Sequence, residues 1–260
     1  MSLPCNAMYS EAAFTPDTSG TFVVTPSYKS KVKRAAELTR EHLKLPRLGG
    51  TIKVESTIPE AKGYGSSTAD CIAAARSIAD SVGHTWAEEQ LAQLVVKAEV
   101  ASDNFMFSRA VLFAHREGVV LEDYAQNLPK LEVIGVDTSE DSYVDTLEHP
   151  PARYSWRQLQ SFRTLTGALR RAIRLGDIRL LGRVATASAV INEDFLPKPR
   201  FREVMRTVEN VDALGVAVAH SGTVLSVLFD PQDPELDRKS EQLSKGLRRL
   251  GVSDVRRFQT

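Results

Sequence analysis

The chain has 260 residues, enough to bury a substantial core as one domain or as two closely packed lobes. Its 33 Lys and Arg residues balance its 33 Asp and Glu residues, so its bulk charge favours neither nucleic acid nor an anionic membrane as a partner. It contains no apolar run near the ~20 residues of a membrane span, and its first residues lack the basic and apolar segments of a secretion signal. A cytoplasmic location is therefore expected, with both cysteines reduced.

The N-terminal elements are predicted to be strands and a helix. Residues 9–14 and 21–25 resemble strands, and the turn-forming residues between them predict a hairpin. A basic helix is expected from Ser30 to Leu43, where apolar residues recur on one side. Residues 51–56 then alternate apolar and polar side chains, which is typical of a strand.

A glycine turn follows this strand and leads into an Ala-rich helix. Gly63 and Gly65 flank Tyr64, and Ser66, Ser67 and Thr68 open the helix. Glycine tolerates positive φ, so such a turn can aim several backbone N–H groups inward, and the helix start adds free N–H groups and a positive dipole. The stretch therefore favours a phosphate site, with an ordinary capped strand-to-helix connection as the alternative.

A further helix is predicted after Gly83, with Thr85 and Glu88 forming a capping box at its start. Its apolar stripe ends in a polar stretch that contains Glu99 and Asp103. From the pattern alone, these carboxylates are either a polar helix end or part of a site.

The second half of the chain is predicted to be a strand, several helices and a hairpin. A strand is expected at 131–137, and helices are expected at 154–175, 178–191, 202–211 and 235–250. Two apolar runs around Ser221 and Gly222 predict the hairpin. Residues 255–258 are expected to form an edge strand.

The glycine turn resembles a known family signature. Pro-x-x-x-Gly-x-Gly-Ser-Ser-x-Ala is similar to the phosphate loop of the GHMP kinases, and here it runs from Pro59 to Ala69. Thr68 stands where many members have alanine. The hairpin turn resembles the third motif of the family, a glycine-rich turn beside the phosphate loop. The residues that the resemblance assigns to ATP are Lys62, Gly63, Tyr64, Gly65, Ser66, Ser67, Thr68, Ser221 and Gly222.

The resemblance also implies a reaction. The Ser-Ser-Thr-Ala-Asp ending of the loop looks most like the bacterial L-threonine kinases of cobalamin side-chain assembly. It implies transfer of a phosphoryl group from ATP to L-threonine, with Asp103 as the catalytic carboxylate and Ser66 and Glu99 on the Mg²⁺ side. A homoserine kinase or another GHMP metabolite kinase is the alternative, and a homodimer is left open.

The family fold expected from this resemblance is α+β and two-lobed. Residues 1–150 would form an N-terminal ATP-binding lobe with a mixed sheet, and residues 151–260 a ferredoxin-like C-terminal lobe. Family members usually begin with a strand and a Gly-Glu-Leu-x-x-Gly stretch, and this chain starts after that point. We therefore expect the usual first strand to be missing, which leaves open a non-catalytic relative that binds a nucleotide or metabolite and regulates a partner.

Overall fold

A computed structural model describes residues 1–139, 152–219, 222–252 and 254–260. Their contacts group them into two compact units. The N-terminal unit comprises Met8–Glu60 and Gly65–Ala125. The C-terminal unit comprises Met1–Ala7, Ala61–Tyr64 and the described residues of Gln126–Thr260. The predicted boundary near residue 150 lies outside the described residues, whereas these units divide between Ala125 and Gln126.

The N-terminal unit contains three helices and five strands. Its helices are α1 (Ser30–Leu43), α2 (Ser66–Asp80) and α3 (Glu88–Glu99). Its strands are β1 (Ser10–Asp17), β2 (Phe22–Thr25), β3 (Gly49–Ser56), β4 (Val111–Ala114) and β5 (Val119–Asp123). The bounds of α1 agree with the prediction, whereas the antiparallel pair β4 and β5 was not predicted.

The predicted hairpin between the first two strands is wrong. Strand β3 lies between them, antiparallel to β1 and parallel to β2. Parallel neighbours need a crossover connection, which α1 provides between β2 and β3. Ile52 and Val54 of β3 are buried in the core, so the central position suits this strand. Turn-forming residues at 16–20 mark a reversal of the chain but do not specify which strand pairs next.

Small side chains let the helices of this unit pack closely. Ala35 and Ala36 of α1 and Ala74 and Ala75 of α2 are fully buried in one apolar cluster. This packing fixes α2, whose first residue directly follows the glycine turn.

The predicted capping box before α3 is also wrong. Helix α3 starts at Glu88 itself, with Ala87 as its N-cap residue and no capping side chain. The Glu88 carboxylate instead accepts a hydrogen bond from the Ser108 backbone N–H at 2.9 Å and pairs with Arg109. Glu88 therefore holds the segment after α3 rather than the start of the helix.

Four helices and four strands are described in the C-terminal unit. The helices are α4 (Trp156–Leu175), α5 (Ile178–Asn192), α6 (Phe201–Glu209) and α7 (Leu236–Arg249). The strands are β6 (Glu132–Asp137), β7 (Gly215–Val218), β8 (Val224–Phe229) and β9 (Val255–Gln259). None of the helices in the described ranges is both long enough and apolar enough to cross a bilayer.

The sheet of this unit has the order β7-β8-β6-β9, with every neighbouring pair antiparallel. Read in chain order, this is the ferredoxin-like arrangement, with the hairpin β7–β8 on one side and β9 at the edge as predicted. Strand β6 is buried along its whole length and is the first strand of this sheet. Its place in the sheet explains why the compact unit begins well before residue 150.

Candidate functional site

The first half of the glycine turn is held by the C-terminal unit. The Lys62 carbonyl accepts hydrogen bonds from the backbone N–H groups of Thr223 at 3.1 Å and Val224 at 3.3 Å. The Lys62 ammonium lies 2.8 Å from an Asp137 carboxylate oxygen and donates to the Ser139 carbonyl at 2.9 Å. Both the backbone and the side chain of Lys62 are therefore tied to the sheet of this unit.

Gly222 brings the predicted hairpin turn against the same segment. Its φ is +71°, and a Cβ built on it would lie 2.1 Å from the Lys62 carbonyl oxygen and 2.6 Å from the Gly63 nitrogen. Only glycine fits this approach of two backbones. The turn thus lies beside the loop, as the resemblance implied, while Ser221 lies outside the described residues.

Lys198 is a further residue of this region that sequence reasoning missed. Its ammonium is buried and donates to the Gly222 carbonyl at 2.8 Å. Burial lowers the pKa of Lys198 to about 8, and the charge of Glu193 opposes this shift. Lys198 lies in a loop between two prolines, where no motif signals a contact with a turn some 24 residues away.

The second half of the turn starts α2 in the N-terminal unit. Gly65 is the N-cap residue of α2 with φ +77°, a conformation that favours glycine. A Cβ built on Gly65 would lie 2.4 Å from the Phe105 ring and 2.9 Å from Asp103 Oδ2. The structure therefore brings the predicted catalytic carboxylate next to the start of α2. The buried residue Ser66 opens the helix directly after this glycine.

Thr68 connects both predicted carboxylates. Its hydroxyl donates to Glu99 Oε2 at 2.8 Å and accepts a hydrogen bond from the Asp103 backbone N–H at 3.3 Å. Glu99 is buried at the end of α3, and this burial raises its pKa, while hydrogen bonds from Ser67 and Thr68 oppose the rise. The Glu99 carboxylate thus contacts Thr68 in the first turn of α2, and the Asp103 carboxylate lies next to Gly65 at the start of that helix.

The donor chemistry here suits a phosphate and a magnesium ion that the phosphate helps to hold. The first N–H groups of a helix have no intrahelical acceptor, so they are available to an anion. Among the described residues, no group of three or more His, Cys, Asp and Glu side chains is arranged to hold a metal. Mg²⁺ in kinase sites needs only one or two carboxylates besides the phosphate oxygens. Glu99 and the hydroxyl of Ser66 are oxygen donors of this kind.

A buried ion pair at Asp70 also holds α2, and no sequence motif predicts it. The Lys29 ammonium lies 2.6 Å from Asp70 of α2 and 2.6 Å from Glu60. The Ser10 hydroxyl donates to the second Asp70 oxygen at 2.5 Å. Strand β1, the start of α1 and α2 are thereby joined by one network.

Two family models match the chain. The N-terminal domain of the GHMP kinases matches residues 30–108, and the C-terminal domain of the GHMP kinases matches residues 169–245. The solved homoserine kinase from Cytophaga hutchinsonii superposes with a TM-score of 0.65 at 18% identity, over 96% of this chain and 84% of that chain. At this identity the likeness concerns the fold alone.

Two relatives are closer in sequence. An L-threonine kinase from Citrobacter freundii is 35% identical over 194 residues, which are 72% of this chain and 64% of that protein. An L-threonine kinase from Salmonella typhimurium is 30% identical over 197 residues, which are 75% of this chain and 64% of that protein. The chain thus spans less than two thirds of the length of each relative.

Proposed function

We propose that this chain transfers the γ-phosphoryl group of ATP to a hydroxyl group of a small metabolite. The chain belongs to the GHMP kinases, whose N-terminal and C-terminal domains both match it. The observation that carries this proposal is the position of Asp103 beside Gly65, at the start of α2. A helix start can bind the phosphates, and a carboxylate at the same point can act on the hydroxyl.

ATP is proposed to bind through backbone amides of the glycine turn and the first turn of α2. The candidates are the predicted residues Lys62 to Thr68, together with Gly222 and Ser221 of the hairpin turn. The ammonium of Lys62 already pairs with Asp137, so its contribution to ATP would come from its backbone. The hydroxyl of Thr68 already bonds to Glu99, so Thr68 would support the site rather than bind phosphate directly.

Asp103 is proposed to orient the substrate hydroxyl and to accept its proton. The hydroxyl oxygen forms a bond to the γ-phosphorus as the bond to the bridging oxygen breaks and ADP leaves. The proton is lost late, when a loose transition state has made the hydroxyl acidic. Glu99 and Ser66 would hold Mg²⁺, which neutralises phosphate charge when it is bound.

L-threonine is the proposed acceptor, giving O-phospho-L-threonine for the aminopropanol arm of cobalamin. The names of the two relatives support this choice. A site built to hydrogen-bond a hydroxyl rejects an analogue that lacks it by ~10⁴-fold, whereas one methyl group is worth only ~10–200-fold. L-serine should therefore be a weaker substrate and L-valine none. A cytoplasmic location, where ATP is present, is part of the proposal.

Titration calorimetry with ATP and Mg²⁺ tests the phosphate site. The variant is Gly65→Ala, whose methyl group would meet Phe105 and Asp103. The control is Gly83→Ala, because Gly83 has a similar φ of +70° but nothing within 4 Å of an added Cβ. The parent and the control are expected to bind ATP, and Gly65→Ala to bind it at least about fivefold more weakly, as overpacking of ~1–3 kcal/mol implies. Equal affinity of all three proteins would contradict the assignment of the loop.

A further inference from the structure

The side chain of Tyr64, between the two glycines of the turn, lies over strand β6. A Cβ built on Gly135 of β6 would meet the Tyr64 hydroxyl at 2.9 Å and its Cε1 at 3.3 Å. Gly135 has no positive φ, so its backbone conformation suits any residue. The space above it is what requires glycine, and a glycine inside a strand often marks such a close approach.

Two contacts with matching spacing attach the turn to β6. Lys62 and Tyr64 are two residues apart in the turn, and their partners Asp137 and Gly135 are two residues apart in the strand. Residues i and i+2 of a strand share one face. The opposite face of β6 carries Ile134 and Val136, which belong to the apolar core of the unit. The turn therefore lies along the face of β6 opposite to this core, fixed by charge at Asp137 and by shape at Gly135.

The charged contact is itself supported by the hairpin turn. The Thr223 hydroxyl donates to the buried Asp137 carboxylate, while the Thr223 backbone N–H donates to the Lys62 carbonyl. The contact at Gly135 has no such hydrogen bond, because the buried Tyr64 hydroxyl has no partner among the described residues. Burial raises the pKa of Tyr64 well above its ordinary value, so the hydroxyl is neutral. Tyr64 is therefore held at Gly135 by packing alone.

We propose that Gly135 is a positioning residue of the nucleotide site. By leaving room for the Tyr64 ring, it sets the backbone of Gly63 and Tyr64, so that their N–H groups receive the phosphates. Gly135 belongs to no motif and lies 70 residues beyond the turn in the chain. The inference rests on the proposed function, since it concerns the binding of ATP.

A double-mutant cycle tests this inference by titration calorimetry with ATP and Mg²⁺. The proteins are the parent, Gly135→Ala, Tyr64→Phe and the double variant, and thermal unfolding is recorded for each. Gly135→Ala is expected to weaken ATP binding by about 5-fold to 150-fold, the range that overpacking implies. In the Tyr64→Phe background, which lacks the hydroxyl at 2.9 Å, the same substitution should cost less than about threefold. Gly167→Ala is the matched control, since nothing lies within 4 Å of a Cβ there.

The outcomes separate this inference from the proposed function. A parent that binds no ATP overturns both. A parent that binds ATP, with Gly135→Ala binding equally well, overturns the inference alone. An equal loss in both backgrounds overturns it too, because the effect would not pass through Tyr64. If Gly135→Ala does not fold, the double variant decides: recovery of folding and ATP binding supports the inference, and failure to recover overturns it.

Discussion

Asp103 is the residue on which the proposed chemistry depends. We expect Asp103→Asn to keep the affinity for ATP but to lower kcat by ~10²–10⁴-fold, the usual contribution of a general base. The substitution keeps the size of the side chain beside Gly65 but removes its negative charge and its ability to accept the proton. Steady-state kinetics at several Mg²⁺ concentrations measure the effect, with Asp80→Asn at the exposed end of α2 as the control.

A kcat for Asp103→Asn within about threefold of the parent, well short of the general-base range, would remove Asp103 from the mechanism. Glu99 behaves differently in the same experiment. The Glu99 carboxylate accepts a hydrogen bond from Thr68 and is proposed to hold Mg²⁺. Glu99→Gln should therefore mainly raise the Mg²⁺ concentration needed for half-maximal rate.

Lys198 gives the folded protein a pH dependence with a defined sign. Its pKa is about 8 in the fold, against 10.5 for an ordinary lysine. Between these pH values the unfolded chain binds a proton that the folded chain does not, so the free energy of unfolding rises with pH. Below pH 8 both states are protonated, and the cost of burying the charge is present in full.

Denaturant titrations of the parent and Lys198→Met between pH 7 and 10.5 measure this contribution. The stability of the parent relative to the variant should rise by roughly 3 kcal/mol across the range. The loss of the hydrogen bond to Gly222 changes the difference in the free energy of unfolding between the two proteins by a similar amount at each pH. The slope of this difference against pH is therefore unaffected. A constant difference from pH 7 to 10.5 would show that burial does not lower the pKa of Lys198.

At the scale of elements, the network at Asp70 connects α2 to β1 and to the start of α1. Breaking a buried pair leaves an uncompensated charge, so Asp70→Asn should lower the free energy of unfolding by about 2–4 kcal/mol. Glu60 still faces Lys29 in this variant, which keeps the loss moderate. The double variant Lys29→Met/Asp70→Asn should lose less than the sum of the two single variants, because it leaves no buried ammonium. Denaturant titration of all four proteins measures the coupling, and strict additivity would contradict it.

Elements with a strong local signal could be predicted from the sequence. The periodicity of α1 gave both of its bounds, and Gly176 gave the end of α4, which starts at Trp156 rather than at the predicted residue 154. The hairpin β7–β8 could be predicted because its strands are neighbours in the chain, but pairing between strands that are distant in the sequence could not. The turn after β1 permits a hairpin, yet β3 takes the place between β1 and β2. Likewise Glu88 fits the sequence pattern of a cap, but Arg109 and Ser108 compete for its carboxylate.

Some residues of the candidate site are marked by a local sequence pattern, whereas the role of others depends on contacts with residues that are distant in the chain. The glycine turn is visible in the sequence, and the family resemblance directs attention to Asp103 and Glu99. Lys198 and Gly135 could not be found there, because each acts on a residue at least 24 positions away through a fold that no motif encodes. Glycine in a strand and lysine between prolines are informative only once their neighbours are known.

At the scale of the whole molecule, the chain carries both domains of the GHMP kinases and spans 64% of each L-threonine kinase relative. The substrate of the relatives therefore has to be tested on this chain itself. L-homoserine is the informative competitor, since it is an isomer of L-threonine with its hydroxyl at another carbon. L-serine and L-valine test the methyl group and the hydroxyl separately.

The most direct test is to identify the phosphorylated product. The protein is incubated with ATP, Mg²⁺ and an equimolar mixture of L-threonine, L-serine, L-homoserine and mevalonate, and the products are resolved by phosphorus NMR and mass spectrometry. We expect O-phospho-L-threonine as the main product, formed in equal amount to ADP and lost in Asp103→Asn. Phosphorylation of homoserine or mevalonate with none of threonine would contradict the substrate, and ATP binding without any phosphorylated product would contradict the kinase itself.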